Sequence, residues 1–340
     1  MSAPRRFLLA GGSGFIGTHV AHGLITRGHA VTVLSRGRRD AVPGATMLTA
    51  DRNDPQAVAA LLDGRHFDLT VDFLAYDAPD LEWLADRPAA TLGRLVMIST
   101  GQVYLVGEGA VPPYIEAEAE RPAIAEPAAD AEDHLPWSYG VGKRRAEAAL
   151  SRLGADRGLP VTALRLPSIQ GEADGSLRLW AYLERMLDGG PLLLPDGGRR
   201  PTRFLDVRDI APVIERLLEG PPPRAFAYNL APPGILTLRE FLERVAAAAG
   251  LRPRFVEAAW DRCRDAGLDD RFAPYAGPWA SVLDPARATA ELGFAGTGPD
   301  GYLPRVVRWH LENRPGESHP GYASRARELE LAERLEGAAR

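Results

Sequence analysis

Short apolar runs alternate with amphipathic stretches through the first half of the chain. Residues 7–10, 30–34, 46–50, 69–74, 94–100 and 161–166 are apolar runs of strand length. Between them, 14–27 repeats its apolar positions at helical spacing, with Ile16, Val20, Leu24 and Ile25 on one face. Residues 54–62 read as a helix capped by Asp54, with Pro55 at its first position. Helical patterns are also expected over 79–92 and 137–153. Strands that are apolar throughout and separated by helices predict an α/β fold with a parallel sheet covered on both faces. After Pro167 the rhythm breaks. Helices are expected over 177–187, 207–218 and 238–249, with glycine- and proline-rich turns across 188–202 and short apolar segments at 226–230 and 254–256. A smaller, less regular domain follows from this. The tail, 323–340, reads as a charged surface helix. Residues 105–136, rich in Pro, Ala and Glu, show no period and form a connection long enough to be functional.

Composition removes several classes of function. The chain has 340 residues, 45% of them hydrophobic and 25% charged, which is ordinary for a globular protein. A formal net charge of −5 argues against a dedicated nucleic-acid partner. One cysteine, Cys263, leaves no intrachain disulfide and fits a reducing compartment. No apolar run has membrane-spanning length, and the apolar run after the basic start is too short for a signal-peptide core. The expected location is cytoplasmic. Among the 40 basic residues there are 39 Arg and one Lys, Lys143. Codon bias accounts for the excess of arginine, and leaves the position of the one lysine to be explained.

Gly11, Gly14 and Gly17 lie at G-x-x-G-x-x-G spacing between the first strand and the first helix. Such a turn lets backbone N–H groups and the helix N-terminus meet a pyrophosphate. Gly11, Ser13, Gly14, Phe15, Ile16 and Gly17 are therefore candidate dinucleotide contacts. The second strand ends in Ser35-Arg36-Gly37-Arg38-Arg39 and offers no carboxylate for a ribose 2′-hydroxyl. Its arginines suit a 2′-phosphate, which favours NADP(H), Arg36 being the candidate, with NAD(H) as the alternative. Asp51 and Arg52 follow the third strand, where a side chain can reach the adenine.

Tyr139 and Lys143 are four residues apart and share a helix face. A neighbouring cation favours phenolate, so Tyr139 can exchange a proton with a substrate hydroxyl or carbonyl. Ser99 and Thr100 end the fifth strand, at the ligand crevice of an open α/β sheet. Thr100 is a candidate to bond the reacting oxygen.

Together, Gly11–Gly17, Asp51-Arg52, Ser99-Thr100, Val103-Tyr104, Tyr139 with Lys143, the segment 164–167, the Phe204–Ala211 stretch, Asp284–Arg287 and Glu291–Phe294 resemble the extended short-chain dehydrogenase/reductase family, the NAD-dependent epimerase/dehydratase group. The resemblance spans about residues 5–312. It implies a Rossmann-type doubly wound sheet over 1–167 and a smaller C-terminal α/β substrate domain over 168–322, with 203–230 returning to the first. It also implies catalytic Tyr139, Lys143 and Thr100. Leu74, Ala75, Ser99, Pro167 and Ser168, and Tyr139 and Lys143 themselves, join the cofactor contacts, and Thr100, Gln102, Tyr104, Ser168 and Arg203 become substrate contacts. The implied chemistry is hydride transfer at a hydroxyl or carbonyl of a small polar molecule, a sugar or sugar nucleotide, in a homodimer paired through helices near 79–92 and 138–153. No metal is implied.

The chain departs from the family in two places. Sugar-nucleotide 4,6-dehydratases carry an Asp-Glu pair after the threonine, whereas Gly101 and Gln102 stand here and neither is an acid or base. The arginine expected two residues before Phe204 is Thr202, with Arg203 beside it. The alternatives to an epimerase or reductase are a non-catalytic NAD(P) sensor or, less favoured, a dehydratase. Glu132, Asp133 and His134 form a candidate second acid/base on a loop more readily read as solvated.

Overall fold

In the computed structural model, which describes residues 3–338, the chain divides into two compact units. The first comprises the chain up to Ile169 together with Val207–Ala231 and Leu283–Gly296. Its centre is a seven-stranded sheet whose pairings are all parallel. Six strands come in order: β1 (Arg6–Ala10), β2 (Ala30–Ser35), β3 (Thr46–Thr49), β4 (Leu69–Asp72), β5 (Arg94–Thr100) and β6 (Val161–Leu166). The spatial order is β3-β2-β1-β4-β5-β6, with Ala227–Asn229 added beside β6. Strand order reverses between β1 and β4, and the C-terminal ends on either side of that point form the ligand crevice of a doubly wound sheet. The register sets Ala10 level with Leu34 and Asp72, and Thr100 level with Leu166.

The helices follow from local chemistry. Phe15–Thr26 buries Gly17, Val20, Ala21 and Leu24 at i, i+3, i+4 and i+7, while Ile16 and Ile25 are only half-buried. Asp54 caps Pro55–Leu62 through Gln56 N and Ala57 N. His134–Arg157 runs three residues further toward the N-terminus and four further toward the C-terminus than the expected 137–153. Pro136 is tolerated because it lies in the first turn, and Gly158 stops the helix in left-handed geometry at φ 62°.

The helix expected over 79–92 is replaced by three single turns, Ala78–Leu81, Glu82–Ala85 and Ala89–Leu92. Pro88 interrupts it: a proline has no N–H to continue the ladder and holds the residue before it out of helical geometry. The expected helix 207–218 becomes a 3₁₀ turn, Val207–Asp209, followed by Ile210–Arg216, and the latter packs on Phe15–Thr26. Gly23 permits that approach, since a Cβ there would lie 2.7 Å from Ala211 Cβ.

The segment 105–136 is ordered and tied to the first unit. Gly107 bridges Ala123 and Tyr114 bridges Leu283. The buried Glu116 carboxylate accepts from Asn229 N at 3.0 Å.

The second unit comprises Gln170–Asp206, Pro232–Val282 and the chain from Thr297 on. Leu192–Pro195 pairs in parallel with Phe255–Ala258, and helices Arg178–Leu187, Leu238–Ala249 and Pro299–Glu312 pack around a core that includes Tyr182, Phe204, Phe241, Leu242, Tyr302 and Val306. The region expected over 168–322, with 203–230 returning to the first unit, is divided at Val207–Ala231, which supplies a helix and the edge strand, and also at Leu283–Gly296, which supplies the helix Ala286–Leu292. The tail helix Arg325–Ala338 is not the surface helix expected: Leu331 and Ala332 are buried in this core. Among the described residues no helix is long and apolar enough to cross a membrane.

Candidate active site

The glycine turn joins the C-terminal end of β1 to the first helix. Gly11 takes φ +84° and sends its N–H to Leu34 O at 2.9 Å. A Cβ on Gly17 would stand 2.6 Å from Gly12 Cα, so only glycine lets helix and turn meet. Gly14 is different. A Cβ there would touch protein atoms only at 3.5 Å, an ordinary contact. The protein's own packing does not require this glycine, whereas a ligand pressed onto the turn would. Gly14 caps the helix with no side-chain hydrogen bond, leaving the N-terminus at Phe15 and Ile16 to an external acceptor. These features fit a dinucleotide pyrophosphate.

Of the three arginines after β2, Arg39 is the one placed at the turn. Its Nη1 donates to Ser13 O at 3.4 Å and lies, like Gly11 O, 3.5 Å from a Cβ built on Gly14. Arg36, the residue expected from the sequence, is exposed at the end of the same strand.

Arg52 is taken up inside the protein. It donates to Leu74 O at 2.6 Å and Asp80 Oδ1 at 2.7 Å, and pairs with Asp72 Oδ1 at 3.3 Å. Asp51 is exposed and accepts from Asn53 N. Asp72 ends β4, almost wholly buried, and also accepts from Trp83 Nε1 and Leu74 N. Burial pushes its carboxyl above the usual aspartate range, against the pull of Arg52. The network fixes the backbone after β4, where the Leu74 side chain lies under Gly11 and Ala75 is buried. Asp72, Asp80 and Trp83 carried no motif that marked them in the sequence.

Tyr139, Lys143 and the end of β5 come together. Lys143 is 2% exposed, and its Nζ donates to Ile98 O at 2.9 Å. Nζ lies 6.0 Å from the Tyr139 ring centroid and 5.0 Å from that of Tyr76. Burial pushes this ammonium down to about 8, while Asp72 and Glu147 pull it back up. Tyr139 is 37% exposed. Gly140 lets the helix approach the turn Gln102–Leu105, for a Cβ there would meet Gln102 O at 2.8 Å. Thr100, half-buried, lies two residues before that turn, its Oγ1 accepting from Gln102 N at 3.2 Å. Pro167 and Ser168 follow the C-terminal end of β6, the first buried and the second half-buried.

Two expected contacts are committed elsewhere. Tyr104 is fully buried, so it is not placed to meet a substrate. Its hydroxyl donates to Asn229 Oδ1 at 2.6 Å and accepts from Arg165 Nη1 at 2.9 Å, and burial pushes its pKa up. Ser99 turns inward and donates to Glu147 Oε1 at 2.6 Å. Glu147 also pairs with Arg165 through Nε at 3.0 Å and Nη2 at 2.6 Å. This buried pair sits one helical turn beyond Lys143. His134 Nδ1 lies 3.2 Å from Pro127 O, at the helix start, while Glu132 and Asp133 are exposed. In the second unit Thr202 donates to Leu236 O and Arg203 donates to Gly234 O.

A family model described as the NAD-dependent epimerase/dehydratase family matches residues 7–231. The chain belongs to that family. Among curated relatives, the chloroplast stem-loop binding protein of 41 kDa b from Arabidopsis thaliana is 23% identical over 73% of this chain, a match that spans 64% of that relative. A 3-diazoavenalumate denitrifying reductase from a Streptomyces species is 28% identical over 67% of this chain and 86% of its own length. The fold matches UDP-glucose 4-epimerase from Thermotoga maritima with a TM-score of 0.67, at 19% identity, covering 91% of this chain and 100% of that one. It also matches dTDP-glucose 4,6-dehydratase from Bacillus anthracis, solved with NAD, at 0.68 and 17% identity over 91% and 97%.

Proposed function

We propose that the protein is an NAD(P)-dependent oxidoreductase or epimerase that moves a proton through Tyr139. One observation carries the reading: the only lysine of the chain is buried at the C-terminal end of β5, pinned to Ile98 O, with its ammonium beside Tyr139. An ammonium held there lowers the cost of a phenolate. Tyr139 is exposed enough to exchange protons with water, so it can give a proton to a carbonyl oxygen or take one from a hydroxyl. Thr100 Oγ1, at the end of the same strand, supplies a hydrogen bond to the same oxygen. A nicotinamide, when bound, supplies the hydride acceptor or donor. Gly11, Ser13, Gly14, Phe15, Ile16 and Gly17 would hold its pyrophosphate. Arg36 and Arg39 favour NADP(H) over NAD(H), because a guanidinium pairs with a 2′-phosphate. Pairing of two copies through His134–Arg157 is part of the same reading, and sedimentation velocity tests it.

Tyr139→Phe is the direct experiment. It should lower turnover at least about a hundredfold while cofactor binding stays within about twofold, since general acid–base groups contribute on that scale. Near-normal turnover in this variant would overturn the reading.

The substrate class expected from the resemblance is a sugar or sugar nucleotide. A second reading, a net reductase of a compound that carries no nucleotide, is supported by the likeness to the 3-diazoavenalumate denitrifying reductase.

A further inference from the structure

Two phenols flank Lys143, and only one has been given a role. Tyr76 stands after β4, with its ring centroid 5.0 Å from Lys143 Nζ and 6.2 Å from the Tyr139 ring, the two rings tilted by 50°. Tyr76 is 52% exposed. Among the described residues no other Phe, Tyr or Trp is as exposed as Tyr76 and Tyr139. These two rings are neighbours over the buried Lys143 ammonium.

The position of Tyr76 is fixed from three directions. Its backbone N–H donates to Asp80 Oδ2 at 2.8 Å, and the same oxygen accepts from Asp77 N at 2.9 Å. Asp80 is held through its other oxygen by Arg52, which is itself held by Asp72. The Tyr76 carbonyl lies against the helix His134–Arg157 so closely that a Cβ on Gly142 would stand 2.6 Å from it. A ring kept exposed while its backbone is clamped forgoes burial of apolar area, which would ordinarily stabilise the fold. The ring lies directly after Leu74 and Ala75, the candidate cofactor contacts at the end of β4, and so beside the proposed site.

We propose that Tyr76 and Tyr139 form an aromatic slot, and that Tyr76 selects a planar, conjugated carbonyl compound. This rests on the reading of Tyr139 as the proton-transfer residue and narrows its substrate. A flat π-system can lie on the Tyr76 face while its carbonyl oxygen meets the Tyr139 hydroxyl. A puckered saturated ring makes less face contact at the same place. Lys143 under the ring holds Tyr76 by a cation–π contact, so the face offered to substrate stays put.

The test is equilibrium binding of acetophenone and cyclohexyl methyl ketone, measured by ligand-observed NMR on protein saturated with NADP+ and, in parallel, with NAD+. The oxidised cofactor has no hydride to give either ketone. The wild type should prefer acetophenone by about fivefold, as expected for one aromatic pair. Tyr76→Phe should keep the preference, because the ring remains. Tyr76→Leu should reduce it to within about twofold while cofactor affinity is unchanged. Equal affinity for the ketones, no binding of either, or a preference that survives Tyr76→Leu would each overturn the proposal. Tyr139→Phe separates this proposal from the catalytic reading: it should lose turnover yet keep the preference. Turnover that survives with the preference intact would defeat the catalytic reading and leave the slot standing.

Discussion

Lys143 shows what a single residue contributes when its neighbours are fixed. The ammonium must fit between Ile98 O and two phenol rings at 2% exposure. Lys143→Arg keeps the charge but brings a planar, wider group with a different donor set. We expect it to lower kcat at least tenfold, read by steady-state assay; full activity would make the choice of lysine incidental. The pH response has a definite sign. The ammonium is charged below about 8 and neutral above it, so its support for the Tyr139 phenolate is lost as pH rises through that value. The kcat/KM profile should therefore fall on its alkaline side near pH 8, and Lys143→Met should lack that limb. Stability moves the other way. The lysine's folded pKa lies below its ordinary value near 10.5, so between about 8 and 10.5 the unfolded chain binds more protons than the folded one. This group then makes the wild type more stable as pH rises through that window, and the difference between wild type and Lys143→Met in denaturant midpoint should change accordingly. Cofactor choice belongs to the same scale: Arg39→Ala should weaken NADP+ at least tenfold and leave NAD+ nearly unchanged, by titration of each, since charge-assisted bonds are worth about 1.5–3 kcal/mol. Tyr139 and Lys143 were legible in the sequence because four residues on a helix fix a shared face. Arg39 and the burial of Tyr104 were not, because both depend on contacts between segments far apart in the chain.

At the scale of elements, the helix His134–Arg157 is held to the sheet by polar groups as much as by apolar ones. Glu147 and Arg165 are each 5% exposed, and the pair is extended by Ser99 on β5 and by Tyr104 and Asn229 beyond it. Removing one partner strands the other charge in the interior. Glu147→Ala should lower stability by about 3–5 kcal/mol, measured by reversible denaturant unfolding. Ser99→Ala removes only one neutral donor to the same carboxylate, so its loss should be about 1.5–3 kcal/mol by the same measurement, that of one hydrogen bond to a charged group. If both variants unfolded at the wild-type midpoint, the network would not be what seats the helix. The sequence disclosed the helix and the strands, whose apolar periods are local. It did not disclose the fracture of 79–92, although Pro88 was visible, because the apolar positions around the proline still match a helical period. Nor did it show that 105–136 is tied down, because the ties run through side chains such as Glu116 to residues more than a hundred positions away.

At the scale of the whole molecule, the chain leaves the first unit at Ile169 and returns to it twice, at Val207–Ala231 and Leu283–Gly296. The sheet could be read from sequence because its first six strands fall on short apolar runs, each followed by its own connection. The second unit could not be read as readily. Its helix Pro299–Glu312 carries Pro304, which looks like a breaker, yet the helix buries Tyr302, Leu303, Val306, Val307 and His310 along one side. Its tail looked dispensable because Arg and Glu dominate it. The structure gives those charges internal partners. Arg185, 1% exposed, donates to Glu328 Oε2 at 2.9 Å, and Arg325 reaches the same carboxylate. Glu328 Oε1 in turn accepts from Leu193 N, on the strand Leu192–Pro195. Deleting 323–340 would therefore do more than trim a surface. It would uncover the core beside Leu331 and Ala332 and leave the Arg185 guanidinium buried without its carboxylate, a fault that costs about 3–5 kcal/mol on its own. Glu328→Gln isolates the electrostatic part, since it keeps the shape and an acceptor oxygen but removes the charge. We expect the truncated chain to unfold at a markedly lower denaturant concentration than wild type, and Glu328→Gln to fall between the two. A truncated protein with the wild-type midpoint would return the tail to the solvent-facing role that its composition first implied.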